Sequence, residues 1–216
     1  MELDLKSHLP GTVTISARTE LTTGQRHRRI THFPSRKNKS AVGCTALQHS
    51  DFCVHLEYEA GVTGYCSRPG KIQFERRNEC YSPDFCALFD SGHIVFYELL
   101  KPATITLQVE KDRQSRLRAL FSEAGLVLDI ITLSSISQSQ KIHNLRLLYH
   151  HALHGTSEGA RQVVGTINNS DSNDLSVQNL LSSGNLPGDI AYSIFYKMTS
   201  INLTQPFNLS SRVRNS

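Results

Sequence analysis

Ser82-Pro83-Asp84-Phe85-Cys86-Ala87-Leu88-Phe89-Asp90-Ser91-Gly92-His93-Ile94-Val95-Phe96-Tyr97-Glu98-Leu99-Leu100-Lys101-Pro102 is the stretch on which the reading of the fold turns. Residues 81–89 read as a strand, with Pro83 tolerated near its beginning because a proline there removes no essential ladder donor. Asp90-Ser-Gly92 is a tight hairpin turn. His93–Leu100 is a continuous apolar run broken only by Glu98, the signature of a central strand covered on both faces.

Working outward, Lys71-Ile-Gln-Phe-Glu75 alternates and predicts a half-buried strand. Upstream, residues 46–59 place Phe52, Cys53 and Leu56 on one helical face, and Gly61 closes that helix. Downstream, residues 110–124 set Leu117, Leu120, Phe121 and Ala124 on one face before Gly125. Leu126–Leu133 reads as a further buried strand. The order helix, three strands, helix, strand predicts a mixed α/β domain over residues 41–136. Residues 1–40 read as a basic arm with one short strand near Thr12–Ile15. Residues 137–216 form a separate, mainly helical region. Helices are expected over 140–153, 174–183 and 187–199, a polar loop over 155–173, and a hairpin from Ile201 to Leu209. Two short helices and a hairpin look like a winged-helix module.

The 216 residues are 38% apolar and 19% charged, enough for a buried core and against global disorder. No apolar run is long enough to span a bilayer, and the acidic start Met1–Lys6 offers no secretory leader. A cytoplasmic protein is expected, with no membrane partner. Cys44, Cys53, Cys66, Cys80 and Cys86 are odd in number and lack Cys-x-x-Cys spacing, so reduced thiols are expected rather than a zinc knuckle or a disulfide framework. The net charge of +4 is uneven: residues 1–46 carry +5 and the rest sum to −1. Arg28, Arg29, Arg36, Lys37 and Lys39 are the candidate contacts to DNA phosphates; the same arm could equally be a solvated tail. His150, His151 and His154 share a helix, but no acid or cysteine is close in sequence, so they read as a solvated or packed face.

Asp84 and Glu98 are the chemistry-bearing pair. Two carboxylates on adjacent strands suit Mg²⁺ or Mn²⁺, which take oxygen ligands. Such an ion polarises a phosphate and activates water, and a lysine such as Lys101 can orient that water. On spacing alone, a turn aspartate and two edge charges explain the same residues.

More than spacing is present. His32-Phe-Pro-Ser-Arg-Lys-Asn-Lys39, Cys44, Asp51-Phe-Cys53, His55-Leu-Glu-Tyr58, Tyr65, Pro69, Tyr81-Ser-Pro-Asp-Phe85, Tyr97-Glu98, Lys101-Pro102 and Asn144-Leu-Arg-Leu-Leu148 arrive in order. Over residues 26–150 the chain resembles TnsA, the endonuclease subunit of heteromeric bacterial transposases. The resemblance implies a restriction-endonuclease-like α/β fold, a mixed sheet flanked by helices, followed by a small winged-helix-like C-terminal domain. It implies Mg²⁺- or Mn²⁺-dependent cleavage of 5′ strands at transposon ends. It also implies a TnsB-like transposase and a TnsC-like AAA+ regulator as partners. The family's metal-binding acids fall on Asp84 and Glu98. Its helix glutamate falls on His49, its strand lysine on Leu100, and its Gln-Pro pair on Arg68-Pro69.

These departures bear on catalysis. Residues two apart on a strand share a face and residues three apart do not, so Lys101 needs a β-bulge at Leu99–Leu100 to join Glu98. His49 is a poor replacement for a carboxylate around hard Mg²⁺ and a better one around Mn²⁺. Glu57 lies about 12 Å further along the helix and does not replace it. Three readings follow: an active endonuclease using Asp84, Glu98, Lys101 and His49; a catalytically inactive DNA-binding and assembly subunit; and a DNA-binding regulator reusing the fold.

Overall fold

The computed structural model describes residues 5–16, 30–101, 108–170, 172 and 174–216. The chain divides into two units, Met1–Ile136 and Ser137–Ser216.

In the first unit the elements run β1 (Val13–Ile15), β2 (Thr31–Ser35), β3 (Ser40–Cys44), α1 (Leu47–Tyr58), β4 (Val62–Ser67), β5 (Ile72–Phe74), β6 (Glu79–Tyr81), β7 (Phe85–Phe89), β8 (Ile94–Leu100), α2 (Gln108–Glu123) and β9 (Val127–Thr132). The short helix α3 (Leu133–Ser137) follows. The main sheet has the order β4-β7-β8-β9, antiparallel except for the parallel β8–β9 pair, which α2 connects. β8 lies inside this sheet and every one of its residues is buried, as its apolar run requires.

Alternation along β8 fixes what covers each face. The Tyr97 ring meets Phe52 of α1 at 5.0 Å, while its neighbour Phe96 meets Phe121 of α2 at 5.6 Å. Successive side chains point to opposite faces, so one helix covers each side of the sheet. Gly125 ends α2 at φ +73, with Leu126 N–H bonding back to Phe121 O at 2.9 Å. Glycine adopts that left-handed cap without the Cβ penalty.

The stretch 81–89 is two strands, not one. β6 pairs with β5 in a separate three-stranded sheet, β1-β5-β6, and β7 enters the main sheet. Pro83 and Asp84 make the crossing, where no ladder needs proline's missing N–H. Part of the stretch read as a basic arm is also built into the unit. β1 pairs with β5, and β2 and β3 form a hairpin with Phe33 and Val42 turned inward.

The second unit comprises α4 (Gln140–Ala152), α5 (Ser157–Asn168), β10 (Asp174–Ser176), α6 (Val177–Ser182), α7 (Pro187–Phe195), β11 (Thr199–Ser200) and β12 (Arg212–Asn215). The expected polar loop at 155–173 is mostly the helix α5. Its Ala160, Val163 and Ile167 are buried at helical spacing, a stripe diluted by small residues. The helix expected over 174–183 starts later, because Asp174 lies in β10; its cap is Ser176, whose hydroxyl accepts Asn179 N–H at 3.0 Å. The last pairing is β12 between β10 and β11, not a hairpin over 201–209. The loop between β11 and β12 is held by the buried Asn144 amide. Its Nδ2 donates to Leu203 O at 2.9 Å and Gln205 O at 2.7 Å, and its Oδ1 accepts Phe207 N–H at 3.1 Å. No helix among the described residues is long and apolar enough to cross a membrane.

Candidate active site

Asp84 stands immediately before β7, and its backbone is gripped from both sides. Its N–H donates to Tyr97 O at 2.9 Å, and its carbonyl accepts Arg68 N–H at 2.6 Å. The β7–β8 register pairs Phe85 with Tyr97. Asp84 and Glu98 are the residues just beyond that last pair, and the Glu98 charge acts on the Asp84 carboxyl. The structure thus brings the two predicted acids together at one end of two neighbouring strands.

Their surroundings differ. Asp84 Oδ2 accepts the Leu99 N–H at 2.8 Å, so a side chain satisfies this backbone donor of β8. Burial pushes the Asp84 carboxyl above the ordinary aspartate range; the Leu99 N–H and His49 oppose that rise, the Glu98 charge adds to it, and Arg113 offsets it. Glu98 is 9% exposed. One of its oxygens accepts the Tyr81 hydroxyl and the other the Arg113 guanidinium of α2. Arg113 is also held by Glu110, at 2.7 Å in the closest contact. Glu110 first, then Glu98, raise the Arg113 pKa above its ordinary value. Burial, then the bond to Glu98, hold the Tyr81 phenol well above the usual tyrosine range.

His49 lies in the first turn of α1, edge-on to Phe85 at 5.5 Å between ring centres. Its Nδ1 is 3.3 Å from the Thr45 hydroxyl. Burial lowers its pKa and Asp84 pulls the other way, so the imidazole is neutral at pH 7. Lys101 is exposed beyond β8. The β8–β9 register runs from Val95 to Leu100 without a shift, so the strand lacks the bulge that would turn Lys101 toward Glu98. Leu100 is buried where a lysine belongs in the TnsA pattern. Arg68 holds φ +49 directly before Pro69, a conformation disfavoured before proline, and its N–H is the one that grips Asp84. Backbone strain of this kind concentrates at functional sites.

Of the candidate phosphate contacts, Arg28 and Arg29 lie outside the described residues. Lys37 sits at a helix end. Its ammonium donates to Leu56 O at 2.9 Å and to Glu59 O, so it caps the C-terminus of α1 where the helix carbonyls lack partners. Arg36 is half-buried and Lys39 exposed, both in the β2–β3 turn.

No protein-family profile matches the chain, and no curated protein matches it.

A divalent ion fits this centre poorly. Among the described residues no group of three His, Cys, Asp or Glu side chains converges as a metal site. Both Glu98 oxygens already accept donors, and the cation beside them is a guanidinium. Two features have no counterpart among the sequence expectations. Arg113 carries no motif, because only folding brings α2 over β8. Glu57 is 1% exposed and accepts the Tyr65 hydroxyl at 2.9 Å and the Ser35 hydroxyl, while Asn38 holds Tyr65 through both backbone groups. That network ties α1 to the β2–β3 hairpin and to β4.

Asp84→Asn tests the electrostatics. A carboxyl whose folded pKa is raised binds protons more tightly folded than unfolded, so its charge costs stability above that pKa and the cost fades as pH falls through it. The asparagine amide keeps an acceptor for Leu99 N–H and carries no charge. The expected result is a higher Tm at pH 7, a gain that shrinks toward pH 4. Thermal melts at the two pH values check it; a loss of stability at pH 7 contradicts the burial argument.

Proposed function

We propose that this chain is a TnsA-like subunit of a heteromeric DNA transposase, acting in DNA binding and assembly with a nuclease-derived centre that has lost efficient cleavage. The single observation that carries the reading is that Asp84 and Glu98 stand just beyond the last β7–β8 pair, at one end of a mixed sheet covered by a helix on each face. That is the setting of the acids in a restriction-endonuclease-like core. His49 and Leu100 at the glutamate and lysine positions, with no bulge to recruit Lys101, support weakened cleavage.

The C-terminal unit supports the same assignment. From α5 onward it runs helix, strand, helix, helix, strand, loop, strand, with β12 between its two partners, the order of a winged helix. Its α7 buries Ile190, Ala191, Ile194 and Phe195, so that helix serves as core rather than as a groove reader. The unit's six Lys/Arg against four Asp/Glu make a weak electrostatic footprint. Contact with a TnsB-like or TnsC-like protein fits it better than DNA.

Purified full-length chain mixed with transposon-end DNA, Mg²⁺ or Mn²⁺ and the partner transposase tests this. The expected result is co-purification with the partner, salt-sensitive DNA binding and no 5′-strand cut. Robust 5′ cleavage abolished by Asp84→Ala establishes the active endonuclease instead. DNA binding without any partner leaves the regulator.

A further inference from the structure

We infer that Arg113 has replaced the divalent ion as the counter-charge of this centre, and that the centre binds such an ion only once Arg113 is removed. The inference rests on reading the centre as nuclease-derived. A carboxylate as buried as Glu98 requires a compensating positive partner. In an ion-dependent centre the metal is that partner. Here the partner reaches Glu98 from α2, fifteen residues along the chain, and is itself fixed. Glu110, one helical turn before Arg113, receives its Nε at 3.1 Å and its terminal nitrogen at 2.7 Å.

The guanidinium is therefore clamped between two carboxylates from different elements, with its side chain 39% exposed against 12% for Glu98 and 15% for Glu110. A solvated surface pair leaves its acid in water; this one reaches the buried acid of the sheet. The remaining Glu98 oxygen takes the Tyr81 hydroxyl from β6, and that ring packs on Phe121 of the same helix. Asp84, across the strand, spends Oδ2 on Leu99 N–H. An incoming ion must displace a fixed cation, contend with its charge, and find a third ligand where His49 has Nδ1 beside Thr45. Both Glu98 oxygens are thus occupied by donors, from β6 and from α2.

The test is Mn²⁺ binding to the full chain, read as loss of the free-ion electron paramagnetic resonance signal. Wild type, Arg113→Gln and Arg113→Gln with Asp84→Asn are compared, each checked for folding by circular dichroism. Wild type is expected to leave the signal unchanged, Arg113→Gln to gain affinity by at least about tenfold, and the double variant to lose that gain. Arg113→Met, which also removes the guanidinium while keeping an unbranched stem, is expected to give the same gain and stands in if Arg113→Gln does not fold. Tight wild-type binding that Asp84→Asn abolishes overturns the inference, as does a folded Arg113→Gln that binds no better than wild type. Transposon-end DNA retention is measured on the same samples. Its loss alongside the expected ion results sinks the transposase reading and leaves Arg113's role standing. Mn²⁺-dependent cleavage by wild type does the reverse.

Discussion

Gly155→Ala is expected to lower the melting temperature of the C-terminal unit by roughly 10–20 °C. A Cβ at position 155 would lie 2.2 Å from the carbonyl oxygen of Gly188 and 2.6 Å from its carbon, with Tyr192 Cβ at 2.9 Å. These are largely backbone atoms of the first turn of α7, so no side chain can swing away. The turn joining α4 to α5 must move off α7, which is the centre of the unit: Phe195 meets Tyr149 of α4 at 4.9 Å, and Ile190 and Ile194 are buried beside it. Overpacking of this kind costs about 2–3 kcal/mol. The same displacement strains the cap at the start of α5, where Asp189 accepts Thr156 N–H at 2.8 Å, worth about 1 kcal/mol more.

Gly165→Ala is the control. It lies within α5 with nothing inside 4 Å of an added Cβ, so alanine's helix propensity is expected to add about 0.5–1 kcal/mol. Calorimetric melts of the two variants give opposite signs if α5 and α7 meet as described. A Gly155→Ala melt within about 2 °C of the parent means they do not.

What is legible in the sequence follows the strength of local pattern. β8 and the helices α1 and α2 announce themselves, because a seven-residue stretch apolar but for Glu98 and stripes such as Leu117, Leu120, Phe121 leave few alternatives. The split of residues 81–89 into β6 and β7 is hidden, since nothing in Tyr81-Ser-Pro-Asp-Phe85 says which sheet each side joins. The helix α5 is hidden by composition: Gly159 and Ala160 are buried because space is short there, and small residues at a tight contact look polar in a sequence. At the candidate site, Asp84 and Glu98 are legible through their motifs and stand at the same end of β7 and β8 in the structure. Arg113 is not, because a partner fixed by packing one helix on a sheet leaves no spacing rule. Lys37 has a second side for a similar reason. A lysine in a basic run reads as a phosphate contact, and only the fold reveals the helix end it closes.

Phe121→Ala is expected to cost the N-terminal unit about 3–5 kcal/mol, enough to remove most of its stability. The ring is fully buried and makes edge-to-face contacts with Phe74 at 5.1 Å, Phe96 at 5.6 Å and Tyr81 at 5.8 Å. Those residues belong to β5, β8 and β6, so one side chain joins the small sheet and the main sheet to α2. Truncation loses the buried area, the aromatic geometry and the only ring of α2, leaving a cavity that three separate elements would have to close. Phe89→Ala is the comparison. Phe89 is half-buried at the far end of β7 and stacks on His93 at 4.5 Å, so about 1 kcal/mol is expected. Urea titrations of both variants separate them by their midpoints at equal slope. Similar costs for the two would remove Phe121 from the centre of the core, and with it the packing that sets Tyr81 and α2 beside Glu98.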